Sequence, residues 1–216
     1  MIIDPERIRH QLKISEADSP RTCPPLPDIQ TIQTLPAAVL MPLVFDGDIW
    51  KLLFIKRTQH IYDRHSGQIA FPGGRADPND PSLEATALRE AQEEIGVNPA
   101  DVEILGQSCS ITTVTDYEVS PYAGLLPWPY ELTLSTEEVE KTILIPFDWL
   151  ADPDNRQVKS WESPFGPGLD LPVVFFKEFA GEILWGVTAQ IVVDFLDLIQ
   201  NTPRELAIDL ADLLIQ

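Results

Sequence analysis

The segment Arg89-Glu90-Ala91-Gln92-Glu93-Glu94 places three carboxylates and a guanidinium within six positions. On a helix, Glu90 is i,i+3 from Glu93 and i,i+4 from Glu94. Like charges at those spacings cost an isolated helix about 0.2–0.5 kcal/mol per pair. Arg89, i,i+4 from Glu93, offsets only part of that. A hard divalent cation would relieve the repulsion, since Mg²⁺ prefers oxygen ligands and often shares them with substrate phosphates. The chemistry this admits is a divalent cation shared between the helix acids and a phosphorylated ligand. Taken alone, such a string also fits a solvated acidic helix face. Its context separates the two: Phe71-Pro72-Gly73-Gly74 comes just before, and Ile95-Gly96-Val97 closes it. Adjacent glycines let backbone approach a ligand closely or take positive φ.

The helix that must carry these acids is well marked. Asp80 suits an N-cap and Pro81 the first helical position. Ser82 to Ile95 has helix-forming composition, and Gly96 supplies a left-handed stop. At about 100° per residue, Leu88, Ala91 and Ile95 fall in an arc of roughly 60°, the core-facing stripe. Glu90, Glu93 and Glu94 fall in another arc of about 100°, largely opposite.

Strands are expected around this helix. Ala37–Phe45 and Trp50–Ile55 flank Asp46-Gly47-Asp48 as a hairpin. Gln68–Phe71 reads as a short strand ending at Pro72-Gly73-Gly74, which reads as a glycine turn. Further strands are expected at Val102–Leu105, Ser108–Thr113, Val119–Leu126 and Ile143–Ile145, with Glu137–Thr142 a short helix before the last. Val173–Phe176 and Glu182–Trp185 form a second hairpin around Ala180-Gly181. Helices are expected at Pro5–Ile14, Thr188–Ile199 and Pro203–Ile215. The organisation is therefore an N-terminal helix and Pro-bearing arm (1–31), a main domain (32–200) and a C-terminal helix packing on it (201–216). Strands with interspersed helices and no regular alternation give α/β in the α+β sense, with a mixed β-sheet between α-helices.

Composition narrows the partners. Lys plus Arg number 15 against 34 Asp plus Glu, a net charge of −19. That balance argues against nucleic acid and anionic membranes, which need a basic surface. A phosphorylated small molecule remains accessible, because a divalent cation supplies positive charge locally. Cys23 and Cys109 lie outside any C-x-x-C pattern and read as free thiols. No run of about 18 apolar residues suggests a membrane span, and the start lacks the apolar run of a signal peptide. A cytoplasmic location is the expectation, and a homodimer is compatible with the sequence.

Gly74 to Val97, GRADPNDPSLEATALREAQEEIGV, resembles the Nudix box, G-x5-E-x7-R-E-U-x-E-E-x-G-U with U apolar. Arg89, Glu90, Ala91, Glu93, Glu94, Gly96 and Val97 match position by position. The first half departs: Gly74 lies one residue too far from Arg89, and Pro81 stands where the early Glu belongs, leaving Asp77 or Asp80 for part of that role. The longer box is similar to the branch that hydrolyses coenzyme A. Lys56-Arg57-Thr58 and His65-Ser66-Gly67-Gln68-Ile69-Ala70-Phe71-Pro72-Gly73-Gly74 resemble the two ends of that branch's upstream signature. Between them one residue is inserted, and Asp63-Arg64 stands near the second arginine. Glu137-Glu138-Val139 and the run from Ile183 to Ala189 also resemble that branch.

The resemblance implies a Nudix-like fold and an enzyme using Mg²⁺ or Mn²⁺. Glu90 and Glu94 would be the principal ligands and Glu93 a third or bridging acid. Glu138 is a candidate general base or extra ligand, and also fits a surface cap. Arg57, Arg64, His65, Gly73 and Gly74 would contact the substrate, with Lys56 nearby as a further cation. The products from coenzyme A or its acyl derivatives would be 3′,5′-ADP and (acyl-)4′-phosphopantetheine. An ADP-ribose or nucleotide-sugar specificity is the nearest rival, and a non-catalytic nucleotide sensor the rival of another class. None of the tryptophans is assigned to the site, and no Ser-His-Asp constellation is evident.

Overall fold

Two β-rich segments, LPAAVLMPLVF and WKLLFIKR, form the spine: β1 (Leu35–Phe45) and β2 (Trp50–Arg57) pair antiparallel through Leu43–Leu52 to Phe45–Trp50. The turn between them is held by Asp46, whose carboxylate accepts from the backbone N–H of Asp48 and Ile49 and pairs with Lys51. This computed structural model describes residues 3–17, 34–59, 66–162 and 170–200. The expected arm, Cys23, Arg64, His65 and the helix at Pro203–Ile215 lie outside the described residues.

The main sheet has eight strands in the order β3 (Ile69–Ala70), β2, β1, β7 (Tyr117–Leu125), β5 (Glu103–Gln107). Off this path, β4 (Gly73–Arg75) pairs with β1, β6 (Ile111–Thr112) with β7, and β8 (Val139–Pro146) with β2. β1 and β7 are parallel, so the sheet is mixed as expected. Alternation along β1 and β2 sorts side chains to two faces. Ala38, Leu40, Val44, Leu53 and Ile55 pack with Ala87, Ala91 and Ile95 of α2 (Leu83–Ile95). Met41, Leu43, Leu52 and Phe54 pack with Ile8 and Leu12 of α1 (Pro5–Ala17) and Ile191, Val192, Phe195 and Leu196 of α4 (Gly186–Gln200). The sheet is thus sandwiched between helices. A second sheet, β9 (Arg156–Glu162), β10 (Asp170–Phe179) and β11 (Glu182–Trp185), turns at Ala180-Gly181, both at positive φ.

Several local expectations are corrected. Residues 139–142 are strand, the start of β8, because Val139 and Thr142 extend the ladder to β2. The glycine pair is strand rather than turn: Ala38 pairs with Gly74 and Val39 with Gly73. β9 and α3 (Phe147–Ala151) were not anticipated, since neither carries a clear period. The N-cap of α2 is Ser82, whose hydroxyl accepts from the Ala85 N–H, and not Asp80. Gly96 ends α2 at φ +71 as expected.

Asp80 has a different task. Its carboxylate takes a bidentate pair from Arg89, Nε and Nη2 each at 3.0 Å, and accepts from the Asp77 N–H and Thr86 Oγ1. Arg89 Nη2 also donates to the Arg75 carbonyl. This joins the end of β4 to the second turn of α2. The Arg89 guanidinium holds the Asp80 carboxyl well below the usual carboxylate range. A depressed folded pKa contributes stability above the unfolded value, lost as pH falls through the folded one. Asp80→Asn is therefore expected to lower stability by a constant amount at neutral pH, with the difference shrinking only below about pH 4. Denaturant titrations of both proteins from pH 7 to pH 3 check this; a difference that grows on acidification would contradict it.

Candidate active site

The acids of α2 do not share one environment. Glu94 is 2% exposed, Glu90 is largely buried, and Glu93 is exposed with its carboxylate on Arg89 Nη1 at 2.8 Å. The expected arc placed Glu94 opposite the core, which the structure corrects. Ala87 is fully buried, and on the wheel Glu94 falls only about 20° from it. Glu94 thus belongs to the face that packs on the sheet, where Leu88 is only partly buried.

The glycine strand makes room for these carboxylates. Gly73 lies so close to β1 that a Cβ would sit 2.4 Å from the Ala38 carbonyl oxygen. Its N–H donates to Glu94 Oε2 at 2.9 Å. A Cβ on Gly74 would meet the carboxylate of Glu90 at 2.7 Å. Pro72 and Ala76 stitch the strand's ends to β1, through Leu40 N–H to Pro72 O and Ala76 N–H to Pro36 O. The two glycines therefore form the floor on which Glu90 and Glu94 rest.

Arg57 ends β2 on the α2 side, and its Nη1 lies 3.7 Å from Glu94 Oε1. Lys56, one residue earlier, points to the other side of the sheet and binds Glu140 and Glu182. The upstream cations are therefore split, and Lys56 does not face the acids. Glu138 is exposed and precedes β8. The segment leading to it caps α2: Thr133 N–H donates to Ile95 O and Ser135 N–H to Glu94 O. The Ser135 carbonyl then accepts from Glu138 N–H, and the Glu138 carbonyl accepts from Thr58 N–H. This ties Glu138 to the ends of both α2 and β2, where its charge bears on Glu90 and Glu94.

Burial pushes the Glu94 carboxyl up to about 7; the Gly73 N–H and Arg57 oppose the shift, and the charges of Glu90 and Glu138 add to it. Raising a carboxyl from 4.5 to about 7 corresponds to roughly 3 kcal/mol against its charged form. Glu90 is also raised, by burial first, with Arg89 opposing and Glu93 and Glu138 adding. Among the described residues no three His, Cys, Asp or Glu side chains are drawn together as a ready-made metal cage. Arg89 accounts for part of this, since its Nη1 holds Glu90 at 2.9 Å and Glu93 at 2.8 Å. The donor set still fits Mg²⁺ or Mn²⁺: under-compensated carboxylate oxygens, side by side on a backbone floor, are the ligands such ions share with water and phosphate. Asp77 and Asp80 are turned to other partners, Asn79 and Arg89, so neither extends this set. Sequence reasoning did not anticipate the Gly73 N–H on Glu94 or the Asp80–Arg89 pair. Neither falls at a helical spacing, although Ala87 on the wheel would have put Glu94 on the core side.

Among the described residues, no helix is long and apolar enough to cross a membrane. The model of the NUDIX domain matches residues 34–164. The chain is 35% identical over 156 residues to the uncharacterized Nudix hydrolase NudL of Yersinia enterocolitica, covering 72% of this chain and 77% of that protein. It is 33% identical over 162 residues to NudL of Yersinia pestis, covering 72% and 75%. In fold it is similar to the crystal structure of a MutT/nudix family protein from Enterococcus faecalis. That likeness has a TM-score of 0.51 at 16% identity, covering 93% of this chain and 76% of that one. With the family model spanning the sheet, the glycine strand and the acidic helix, the chain belongs to the Nudix hydrolases, enzymes that split pyrophosphate linkages.

Proposed function

We propose that this enzyme hydrolyses the pyrophosphate of coenzyme A or its acyl derivatives, giving 3′,5′-ADP and (acyl-)4′-phosphopantetheine. The observation that carries the catalytic part is the seating of Glu90 and Glu94 on Gly73-Gly74 with Arg57 3.7 Å from Glu94. That arrangement joins acids for a cation to a cation for a phosphate. The substrate part rests on the upstream segment, Lys56-Arg57-Thr58 and His65 to Gly74, which resembles the signature of the coenzyme A branch.

In this reading Glu90 and Glu94 hold Mg²⁺ or Mn²⁺, and Glu93 shares in the set when it leaves Arg89. The bound ion supplies polarisation of the diphosphate and neutralises charge developing on it. Arg57 donates to a phosphate oxygen, exchanging its contact with Glu94 for one to the substrate. Glu138, exposed and with its charge bearing on the two ligands, takes the proton of the attacking water. Gly73 and Gly74 serve the substrate indirectly, by leaving room for β1 and for the Glu90 carboxylate so that the two acids are seated where the diphosphate would bind. Arg64 and His65 are proposed as further substrate contacts on the upstream resemblance alone. The N-terminal arm (1–31) and the C-terminal segment (201–216) are proposed as extensions of the catalytic unit.

The test incubates the protein and Mg²⁺ or Mn²⁺ with coenzyme A, ADP-ribose and a dinucleoside polyphosphate, reading products by chromatography. Coenzyme A is expected to turn over fastest, and preference for ADP-ribose would overturn the substrate part alone. Glu94→Gln is expected to abolish turnover with the fold intact by circular dichroism; full activity would remove Glu94 from the metal shell.

Gly74→Ala separates the floor from the fold. The atoms nearest its methyl are the carboxylate end of Glu90 rather than backbone, and replacing an extended glycine brings about 0.4–1 kcal/mol in chain entropy. Stability is therefore expected to hold while kcat falls by about 10–100-fold, as for other changes that shift a metal ligand. Gly73→Ala, which drives a methyl into β1 backbone, is expected to destabilise the fold itself. Equal behaviour of the two variants in thermal melts and kinetics would contradict the assignment.

A further inference from the structure

β2 and β8 pair regularly from Lys51–Pro146 to Lys56–Lys141, but Arg57 then pairs with Val139. Glu140 is the extra residue, so Glu140 and Lys141 together oppose Lys56. A bulge of this kind bends its strand and re-aims the side chains beyond it. The effect is visible in the packing. Ile143 and Ile145 belong to the layer of α1 and α4, yet Val139, also odd-numbered, packs in the α2 layer with Leu53 and Ile55. The bulge has turned the chain over by one residue, bringing Val139 beside Arg57.

On the far side of the sheet an ion cluster grips the bulge. Lys56 Nζ lies 3.0 Å from Glu140 and 3.0 Å from Glu182, and Lys141 Nζ lies 2.7 Å from Glu182. Glu182 comes from β11 in the second sheet, on the same side as the buried Leu184. Lys56 and Glu182 are 17% and 16% exposed, so solvent screens them far less than an open surface pair. Next to the bulge stand the two groups of the reaction centre that come from outside α2: Arg57 directly, and Glu138 two residues before Glu140.

We propose that Lys56 and Glu182 are positioning residues: their ion cluster pins the Glu140 bulge, and the bulge aims Arg57 and Glu138 at the acidic helix. The second sheet thereby helps set the geometry of the reaction centre from the opposite face of the main sheet. This rests on the reading of Arg57 and Glu138 given above.

The test compares Lys56→Met, Glu182→Gln, Lys56→Arg and Glu138→Gln with the full-length parent. Each is assayed with Mn²⁺ on coenzyme A and ADP-ribose, with Mn²⁺ affinity and thermal midpoint measured alongside. Lys56→Met is expected to lower kcat by about 10–100-fold, in the range of supporting residues, with Mn²⁺ affinity unchanged. Lys56→Arg should keep most of the activity. Placed in Glu138→Gln, the Lys56→Met change should add little, because the two act through one unit. Glu182→Gln preserves volume and provides the same reading should Lys56→Met fail to fold. Parental kcat in folded Lys56→Met and Glu182→Gln, beside an impaired Glu138→Gln, would overturn the positioning role and leave the reading of Glu138 standing. A full additive loss in the Glu138→Gln background would also overturn it. Full activity of Glu138→Gln would overturn the reading of Glu138 itself, and this inference with it.

Discussion

A carboxylate enclosed between a helix and a sheet is unfavourable as an anion unless an opposite charge or several donors face it. Glu94 is that carboxylate here; among the described residues it is supported by the Gly73 N–H and by an arginine at the edge of contact. Its position requires α2 to lie close on β4, which in turn requires glycine at 73 and 74. It also requires the Asp80–Arg89 pair, which ties the end of β4 to α2, and the capping segment at 133–135, which fixes the other end. The site is thus an electrostatic gap kept open by a rigid frame. In the proposed reading a divalent cation closes that gap.

The frame works because the sheet separates two jobs. On the face of α2 it presents Arg57 and the glycine floor; on the other face its apolar residues form the larger core with α1 and α4. Strand alternation makes this separation unavoidable, since neighbours such as Lys56 and Arg57 must point apart. A chain with a net charge of −19 has few cations to spare. Arg57 faces the acidic helix and Arg89 lies on it among its carboxylates, while Lys56 and Lys141 join the two sheets on the opposite side. Local positive charge is therefore built where an anionic substrate would meet the helix acids.

Much of this was legible in residue order. The acids, the glycine pair and the Gly96 stop are local features, and so are the hairpins at Asp46 and at Ala180-Gly181. What escaped was set by contacts between distant segments. Asp80 reads as a cap because Asp is a common cap, but Arg89 nine residues on captures it. Residues 137–142 read as helix from composition, whereas β2 recruits 139–142 as strand. The glycine pair reads as a turn because glycine commonly turns, yet β1 supplies backbone partners that make it a strand. Glu94 was placed on the wrong face because the apolar stripe was drawn through Leu88 instead of Ala87. For Asp80, residues 139–142 and the glycine pair, pairing with another segment overrode a local preference; for Glu94 the local pattern itself was misread.

In the proposed mechanism Glu90 and Glu94, seated on the glycine strand, share a divalent cation. Titration of the protein with Mn²⁺, followed by electron paramagnetic resonance of the free ion, measures this without any substrate. The account predicts binding by the parent that is lost in a folded Glu90→Gln/Glu94→Gln variant. Equal binding by the two proteins would contradict it.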